Sequence, residues 1–150
     1  EWATIFFFIG LFVAVGGLSE TGVIRDLATK AVALTEGDVT KTSLLVLWLS
    51  ALVSSVLDNI PFVATLIPLI QDMGQMGLSN LDPMWWSLAL GACLGGNGTL
   101  VGASANLIVA GMAADRGVKI SFMNYFKISF PIMIMTIAIS TVYVYLRYLL

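Results

Sequence analysis

The sequence predicts an all-α membrane protein in which apolar helices are interrupted by short polar or glycine-rich breaks. Of its 150 residues, 59% are hydrophobic and 11% are charged, whereas a soluble domain has about 45–50% and about 25%. Four stretches contain no Asp, Glu, Lys or Arg, and the middle two are separated only by Asp58 and Asn59. These stretches are 3–18, 44–57, 60–70 and 128–146.

The charge and the rare side chains exclude several classes of function. A net charge of −2 provides no clustered basic surface for nucleic acid. The chain has no histidine and one cysteine, Cys93, so it lacks the usual groups for Ser-His or Cys-His catalysis and for zinc. We therefore expect no enzyme activity and no cofactor, and we interpret Cys93 as a packing residue. Because the chain opens at Glu1 without a basic segment, we expect a fragment whose first apolar stretch spans the membrane.

The first two predicted elements are a transmembrane helix and a helix on the membrane surface. Residues 1–18 form the span, with Trp2 at the interface. In residues 19–35 apolar residues recur at helical spacing while charged residues occupy the other face, which is typical of an interfacial helix. The same pattern suits a helix packed on a soluble domain, but the chain has no soluble segment that could form one.

The next predicted element, residues 42–72, is a pair of half-helices separated at Asp58-Asn59-Ile60-Pro61. Proline disfavours helix in the residue before it, and Asn59 suits the cap of a helix that restarts near Pro61. Half-helices of about 14 and about 11 residues reach roughly 21 and 16 Å, so neither crosses a core of about 30 Å. We expect a re-entrant hairpin, and one long broken span fits the same lengths.

A second interrupted helix is predicted at residues 83–116, where Gly95-Gly96-Asn97-Gly98 breaks the apolar pattern. The connector before it, residues 71–82, contains Asp but no Lys or Arg, so it should lie outside the cytoplasm. Basic residues cluster after this helix, which places its far end in the cytoplasm. After a short amphipathic segment at 121–127, we expect a last transmembrane helix at 128–148.

Polar groups at the two breaks form the candidate site. An irregular backbone at membrane depth leaves N–H and C=O groups unpaired, so it persists only where it is buried in protein or lines a wet cavity. Glycine lets carbonyl oxygens approach a small ion, and a helix start favours an anion. Two structural alternatives stay open: the glycines serve close helix packing, and Asp58 is a simple helix cap. The candidate ion- or substrate-binding residues are Asp58, Asn59, Gly96, Asn97, Gly98, Thr99, Ser104 and Asn106.

Two segments carry a resemblance to a known family. Ser54–Pro68, which reads SSVLDNIPFVATLIP, and Gly95–Ile108, which reads GGNGTLVGASANLI, resemble the C-terminal repeat of the ArsB/NhaD ion transporter superfamily. Its P-protein branch is the nearest likeness. The resemblance implies two inverted repeats, each with a re-entrant hairpin and a broken helix whose tips meet near mid-membrane. This chain would supply one repeat.

The resemblance also implies roles for residues at the breaks. It places a coupling sodium at Asn59 and at Gly96 to Thr99, with Asn97 as a further sodium ligand, and it makes Asn106 the motif asparagine of the broken helix. Related dicarboxylate carriers have a serine where this chain has Asp58. That difference favours cation or proton exchange over carboxylate transport.

Together these observations predict an ion-coupled secondary transporter that works by Na⁺/H⁺ antiport or small-anion transport. We expect the coupling ion to be Na⁺ or H⁺, and the location to be the inner or plasma membrane if the source is bacterial. The expected partners are the N-terminal repeat of the same transporter, the lipid bilayer and a second copy in a homodimer. The alternative is a non-transporting membrane anchor or assembly domain whose glycines serve helix packing. An intramembrane enzyme is disfavoured because no second acid lies at comparable depth.

Overall fold

The structure, a computed structural model, describes residues 2–150, apart from the side chains of Ala3, Thr4, Phe7, Phe8 and Leu11. Glu1, with which the predicted first span begins, lies outside the described residues. Helices form the regular structure of the described range, which confirms the all-α prediction. They are α1 Trp2–Glu20, α2 Val23–Leu34, α3 Val39–Ser54, α4 Asn59–Gln75, α5 Asp82–Gly95, α6 Ser104–Asp115, α7 Phe122–Val144 and the π-helical turn Tyr145–Leu149.

Helices α3 and α5 form the tightest contact in the molecule. A Cβ added at Gly91 would lie 2.5 Å from the carbonyl oxygen of Leu47, and one at Gly95 would clash with the backbone of Ala51. Gly91 thus faces Leu47, and Gly95 faces Ala51. Residue numbers increase in the same direction on both helices, so α3 and α5 run parallel. The predicted role of these glycines in close packing is confirmed, because only glycine lets the two backbones approach this closely.

Serine hydroxyls line the same α3–α5 interface. Ser54 donates a hydrogen bond of 2.7 Å to the carbonyl of Ala92, which ties the end of α3 to α5. The hydroxyls of Ser43, Ser50 and Ser87 are buried and have no hydrogen-bond partner among the described residues. The interface therefore gains its stability chiefly from close packing, with few hydrogen bonds.

The main apolar core joins α2, α3, α4 and α5. Helix α4 turns one face inward because its buried residues recur every three or four positions, and α2 does the same with Ile24 and Ala28. The predicted amphipathic helix therefore buries part of its apolar face against protein, with Val23 and Leu27 still exposed, and α1 packs on α2 and α4. The core consists of Ile24, Ala28, Val46, Phe62, Leu66, Leu69, Ile70, Met73, Leu78, Met84, Leu88 and Ala92.

The start of α3 and the end of α4 both lie against the region of α2. The hydroxyls of Thr35 and Thr42 share a hydrogen bond of 2.7 Å at the start of α3. The hydroxyl of Thr29 lies 3.8 Å from the sulfur of Met76, which follows α4. The chain therefore runs away from the region of α2 along α3 and returns to that region along α4.

The two half-helices are longer than the sequence suggested. Helix α3 has 16 residues and begins at Val39 because Asp38 caps it, accepting a hydrogen bond of 2.8 Å from the backbone N–H of Lys41. Helix α4 has 17 residues and continues to Gln75 with Pro68 inside it. At 1.5 Å per residue they reach about 24 and about 26 Å, still short of a core of about 30 Å.

Helix α7 corrects the expectation of a separate amphipathic segment before the last span. It runs without interruption from Phe122, because Ser121 accepts a hydrogen bond of 3.3 Å from the backbone N–H of Asn124 and so starts the helix early. Pro131 lies inside the helix, where it removes one backbone hydrogen bond without ending it. Within the described residues, 122–149 is the one helix both long and apolar enough to cross a membrane.

Helix α7 runs back along α3 and α5. Its Met133 and Ile137 bury themselves against Leu47 and Ala51 of α3. Near its end, the ring of Tyr148 stacks on that of Trp86 in the first turns of α5, with the centroids 5.8 Å apart. The end of α7 and the start of α5 therefore lie on the same side, and α7 is antiparallel to α5.

Candidate functional site at the two helix breaks

The two breaks in the helical backbone contact each other. We call residues 55–58 the first break and residues 96–103 the second break. The hydroxyl of Thr99 donates to the carbonyl of Ser55, and the hydroxyl of Ser104 donates to the carboxylate of Asp58. The parallel arrangement of α3 and α5 produces this meeting, because both helices end at the same level. Segments that are more than 40 positions apart in sequence thus form one site.

Asp58 receives hydrogen bonds from the start of two helices. One carboxylate oxygen accepts from the backbone N–H of Ile60 at 3.3 Å and so caps α4, and the other accepts from Ser104, the first residue of α6. Helix starts carry a partial positive charge, so both stabilise the carboxylate. The interpretation of Asp58 as a cap is therefore confirmed, whereas the predicted cap at Asn59 is wrong. Asn59 is instead the first residue of α4.

Asn106 holds the backbone of the second break. Its side-chain amide donates to the carbonyl of Gly96 at 2.9 Å and to the carbonyl of Thr99 at 3.1 Å. Carbonyls just beyond the end of a helix have no intrahelical donor, so an amide from the next helix satisfies them. Asn106 thereby fixes two carbonyl oxygens, the kind of group that binds a small hard cation.

Glycine is required at Gly102 of the second break, and the space at Gly98 is also tight. A Cβ at Gly102 would lie 2.7 Å from the carbonyl oxygen of Ser55 and 2.8 Å from that of Gly96. A Cβ at Gly98 would lie 3.0 Å from the side chains of Ser55 and Met133. Both glycines therefore allow the second break to lie directly on the first.

Two of the predicted site residues lie apart from these hydrogen bonds. Asn59 is half-buried and lines an open cavity of about 520 Å³, whereas Asn97 is exposed. Cys93 lines the same cavity as Asn59 and is exposed, so it does not pack inside the described part of the chain. The other lining residues of this cavity are Phe12, Ile60, Val63, Ala64 and Ile67.

Asp58 also lies on the wall of a second cavity, of about 390 Å³, between α1, α3 and α4. Most of that wall is apolar, including Leu18, Leu57 and Phe62. No Lys or Arg occurs in either break. The described residues contain no cluster of three or more His, Cys, Asp or Glu that could hold a metal ion. Any cation at this site would therefore take carbonyl, amide or hydroxyl oxygens together with the single carboxylate.

Sequence reasoning missed the acceptor role of Ser55 and the direct link between Ser104 and Asp58. The spacing of small residues carried part of the signal, since Gly91 and Gly95 are four positions apart. What the spacing lacked was the identity of the partner helix, which follows only from the tertiary packing of α3 against α5.

Comparisons with known proteins give the site a family context. The chain is similar to the citrate transporter family over residues 1–91, which include the first break. It is 44% identical over 150 residues to an uncharacterized transporter of Mycobacterium bovis, covering 99% of this chain and 35% of the relative. It is 42% identical over 151 residues to a 46 kDa membrane protein of Mycobacterium leprae, covering 99% of this chain and 35% of the relative.

A mammalian relative is similar over both breaks. The chain is 41% identical over 151 residues to the P protein of Homo sapiens, covering 95% of this chain and 18% of that protein. No solved structure matches the chain. These matches confirm the resemblance to a transporter family that the break motifs predicted, and they make the chain a membrane protein. The chain spans 35% of the length of the mycobacterial relatives.

Proposed function

Because this chain belongs to the citrate transporter family, we propose that it forms part of an ion-coupled secondary transporter whose two helix breaks bind the coupling ion, Na⁺ or H⁺. One observation carries the proposal: the two breaks are joined through Thr99 and Ser104, and Asn106 holds the carbonyls beside them. In secondary transporters, discontinuous helices of this kind form the ion and substrate sites near the middle of the bilayer.

The residues at the breaks favour a cation as the coupling species. The site offers the carboxylate of Asp58 and the carbonyls of Gly96 and Thr99, and it has no basic side chain. Small-anion transport remains the second candidate, because the starts of α4 and α6 both point their N–H groups towards this region. In this chain the carboxylate of Asp58 already takes hydrogen bonds from both helix starts, so the cation is the better fit.

We place α3 and α4 in the membrane as a re-entrant hairpin whose tip is the first break. Three features support this placement: both helices are too short to cross alone, α3 starts and α4 ends beside α2, and α5 runs parallel to α3. In this topology α5 and α6 together cross the bilayer. Residues 36–41 and 71–82 then share one face, and the basic residues after α6 lie in the cytoplasm.

Cysteine labelling tests this topology. Single cysteines at positions 38 and 75 of the full-length protein, in a Cys93→Ser background, should react with a membrane-impermeant reagent from the same side of the membrane. A cysteine at position 119 should react from the opposite side. Labelling of positions 38 and 75 from opposite sides would replace the hairpin with one continuous broken span.

A second repeat of opposite topology, supplied by the remaining part of a longer protein, completes the proposed transporter. Helix α6 has no buried residue, although Leu107, Ile108 and Met112 are large and apolar. Such a helix needs lipid or another helix layer around it. We propose that the second repeat covers its inner face, and that two complete transporters associate as a homodimer.

The main test of the function uses Asp58→Asn in the full-length transporter, reconstituted in liposomes. Asparagine keeps the size and the capping ability of Asp58 but removes its charge. We expect folded protein whose flux no longer depends on Na⁺ or pH. The matched control is Asp72→Asn, which removes an acid near the far end of α4 and should leave that dependence intact. Identical Na⁺ and pH profiles for Asp58→Asn and the parent would reduce Asp58 to a cap and favour the anchor-domain alternative.

A further inference from the structure

A small surface cavity with a few polar groups lies where the connector after α6 meets the start of α7. It has a volume of about 260 Å³ and is far along the chain from both helix breaks. Its wall combines an ammonium group, a side-chain amide and two hydroxyls with two isoleucine side chains. The lining residues are Lys119, Ile120, Asn124, Tyr125, Ile128 and Ser129.

Both ends of the connector are fixed by backbone hydrogen bonds. Helix α6 ends at a left-handed glycine, Gly117, with φ of +84°. The N–H of Val118 bonds to the carbonyl of Ala113 at 2.9 Å, which is the Schellman pattern that closes a helix. On the other side, Ser121 caps α7. The backbone on both sides of Lys119 is therefore held in place by the ends of α6 and α7.

Basic residues outnumber acidic ones around this cavity. Arg116, Lys119 and Lys127 lie in the connector and the first turns of α7, whereas the nearest acid in the sequence is Asp115, the last residue of α6. The one ion pair among the described residues, Lys41 with Glu36, is elsewhere, so Lys119 has no acidic partner there. The start of α7 adds a partial positive charge of its own. An anion is thus the complementary ligand for the cavity.

The location selects the kind of anion. The cavity lies at the start of 122–149, the helix that is long and apolar enough to cross a membrane. An excess of Lys and Arg places this end at the cytoplasmic face, where the leaflet carries anionic lipids. Ile120 and Ile128 give the cavity an apolar wall. A soluble phosphate ion gains nothing from such a wall, whereas the glycerol and first acyl carbons of a lipid can pack against it.

We infer that this cavity binds the phosphate headgroup of an anionic phospholipid. The ammonium of Lys119 pairs with the phosphate, the amide of Asn124 and the hydroxyls of Tyr125 and Ser129 donate hydrogen bonds to its oxygens, and the isoleucines contact the apolar part of the lipid. This inference uses none of the residues at the breaks, and it rests on the proposed topology only for the cytoplasmic location of the cavity.

The test measures lipid retained by the full-length protein after extraction from vesicles of phosphatidylglycerol mixed with phosphatidylcholine. Lys119→Ala should weaken phosphatidylglycerol binding about tenfold, because a charge-assisted hydrogen bond to the phosphate is lost. Asn124→Ala should weaken it several-fold without any change of charge. Lys127→Ala is the matched control, since Lys127 is a basic residue of the same region that does not line the cavity.

Three results would overturn the inference. Equal losses for Lys119→Ala and Lys127→Ala, with Asn124→Ala behaving as the parent, would indicate diffuse attraction to a charged membrane. Equal retention of phosphatidylcholine and phosphatidylglycerol would exclude recognition of charge. Displacement of phosphatidylglycerol from the parent, but not from Lys119→Ala, by inorganic phosphate at millimolar concentration would assign the cavity to a soluble phosphate.

Discussion

The α3–α5 interface and helix α6 differ in how closely they are packed, although both adjoin the helix breaks: α3 and α5 end at the two breaks, and α6 begins after the second. At the interface the backbones touch, as Gly91 and Gly95 show, and the facing residues are fully buried. Helix α6 has no buried residue, and a Cβ at its Gly111 would meet nothing within 4 Å. Within the described residues, side-chain hydrogen bonds from Ser104 and Asn106 provide its attachment.

This difference separates a closely packed scaffold from a helix that packs little against the described chain. The α3–α5 interface has the close packing of a rigid support, which keeps the two breaks at the same level. Helix α6 has the exposed apolar surface of a part that meets lipid or further protein. Substitutions should therefore affect stability at the interface and transport at the breaks.

The largest expected effect is at the interface. Gly95→Ala should lower the free energy of unfolding by about 1–3 kcal/mol or prevent folding, because overpacking forces the backbones apart. Thermal unfolding of the purified full-length protein measures this change. Gly111→Ala is the matched control: Gly111 has open space around it within this chain, and if the second repeat does not pack against it the change should be neutral, or stabilising by up to about 1 kcal/mol through helix propensity. Equal changes in the free energy of unfolding for Gly95→Ala and Gly111→Ala would contradict the distinction between a tightly packed interface and an exposed helix.

The second expected effect is at the breaks. Asn106→Ala should abolish ion-coupled uptake in liposomes while the protein still folds, because the carbonyls of Gly96 and Thr99 lose the amide that holds them. The loss in stability should be small, about 0.5–1.5 kcal/mol for each hydrogen bond. We expect Asn59→Ala to abolish uptake as well. Normal uptake by both variants, with normal expression, would make the two asparagines structural residues only.

The smallest expected effect separates two serines within the α3–α5 interface. Ser54→Ala removes a hydrogen bond of 2.7 Å to the carbonyl of Ala92 and should destabilise the protein by about 0.6 kcal/mol, the average for such bonds in membranes. Ser50→Ala removes a buried hydroxyl that has no partner and should be neutral or stabilising. Thermal unfolding of the two variants side by side makes the comparison, and the reverse order would show that the hydroxyl of Ser50 is satisfied in the membrane.

Local signals in the sequence were enough to predict the helical fold and the positions of both breaks. Asp58 before Ile60-Pro61 and the glycines from Gly95 onwards interrupt helices through their own backbone preferences, so neighbouring residues alone reveal them. The glycine spacing on α5 likewise indicated close packing before any partner was known.

The remaining features depend on contacts between distant segments. The hydrogen bond from Ser104 to Asp58 requires the parallel packing of α3 and α5, which no local pattern specifies. Helix α7 begins at Phe122 because the Ser121 cap outweighs the proline inside the helix, and that balance is not visible in the apolar pattern alone. The sequence and the described residues together leave the roles of Asn59 and Asn97 as predictions.

The parallel register of α3 and α5 restricts how the two breaks can move relative to each other. Gly91 and Gly95 of α5 fit beside Leu47 and Ala51 of α3, and each pair is four residues apart. Sliding of one helix past the other is therefore least hindered in steps of about one helical turn. One such turn is about 5.4 Å. A slip of that size would carry Thr99 from the level of Ser55 to that of Ala51 and separate the breaks completely. The interlocked glycines of α5 therefore resist small sliding movements along α3 and keep the two breaks joined.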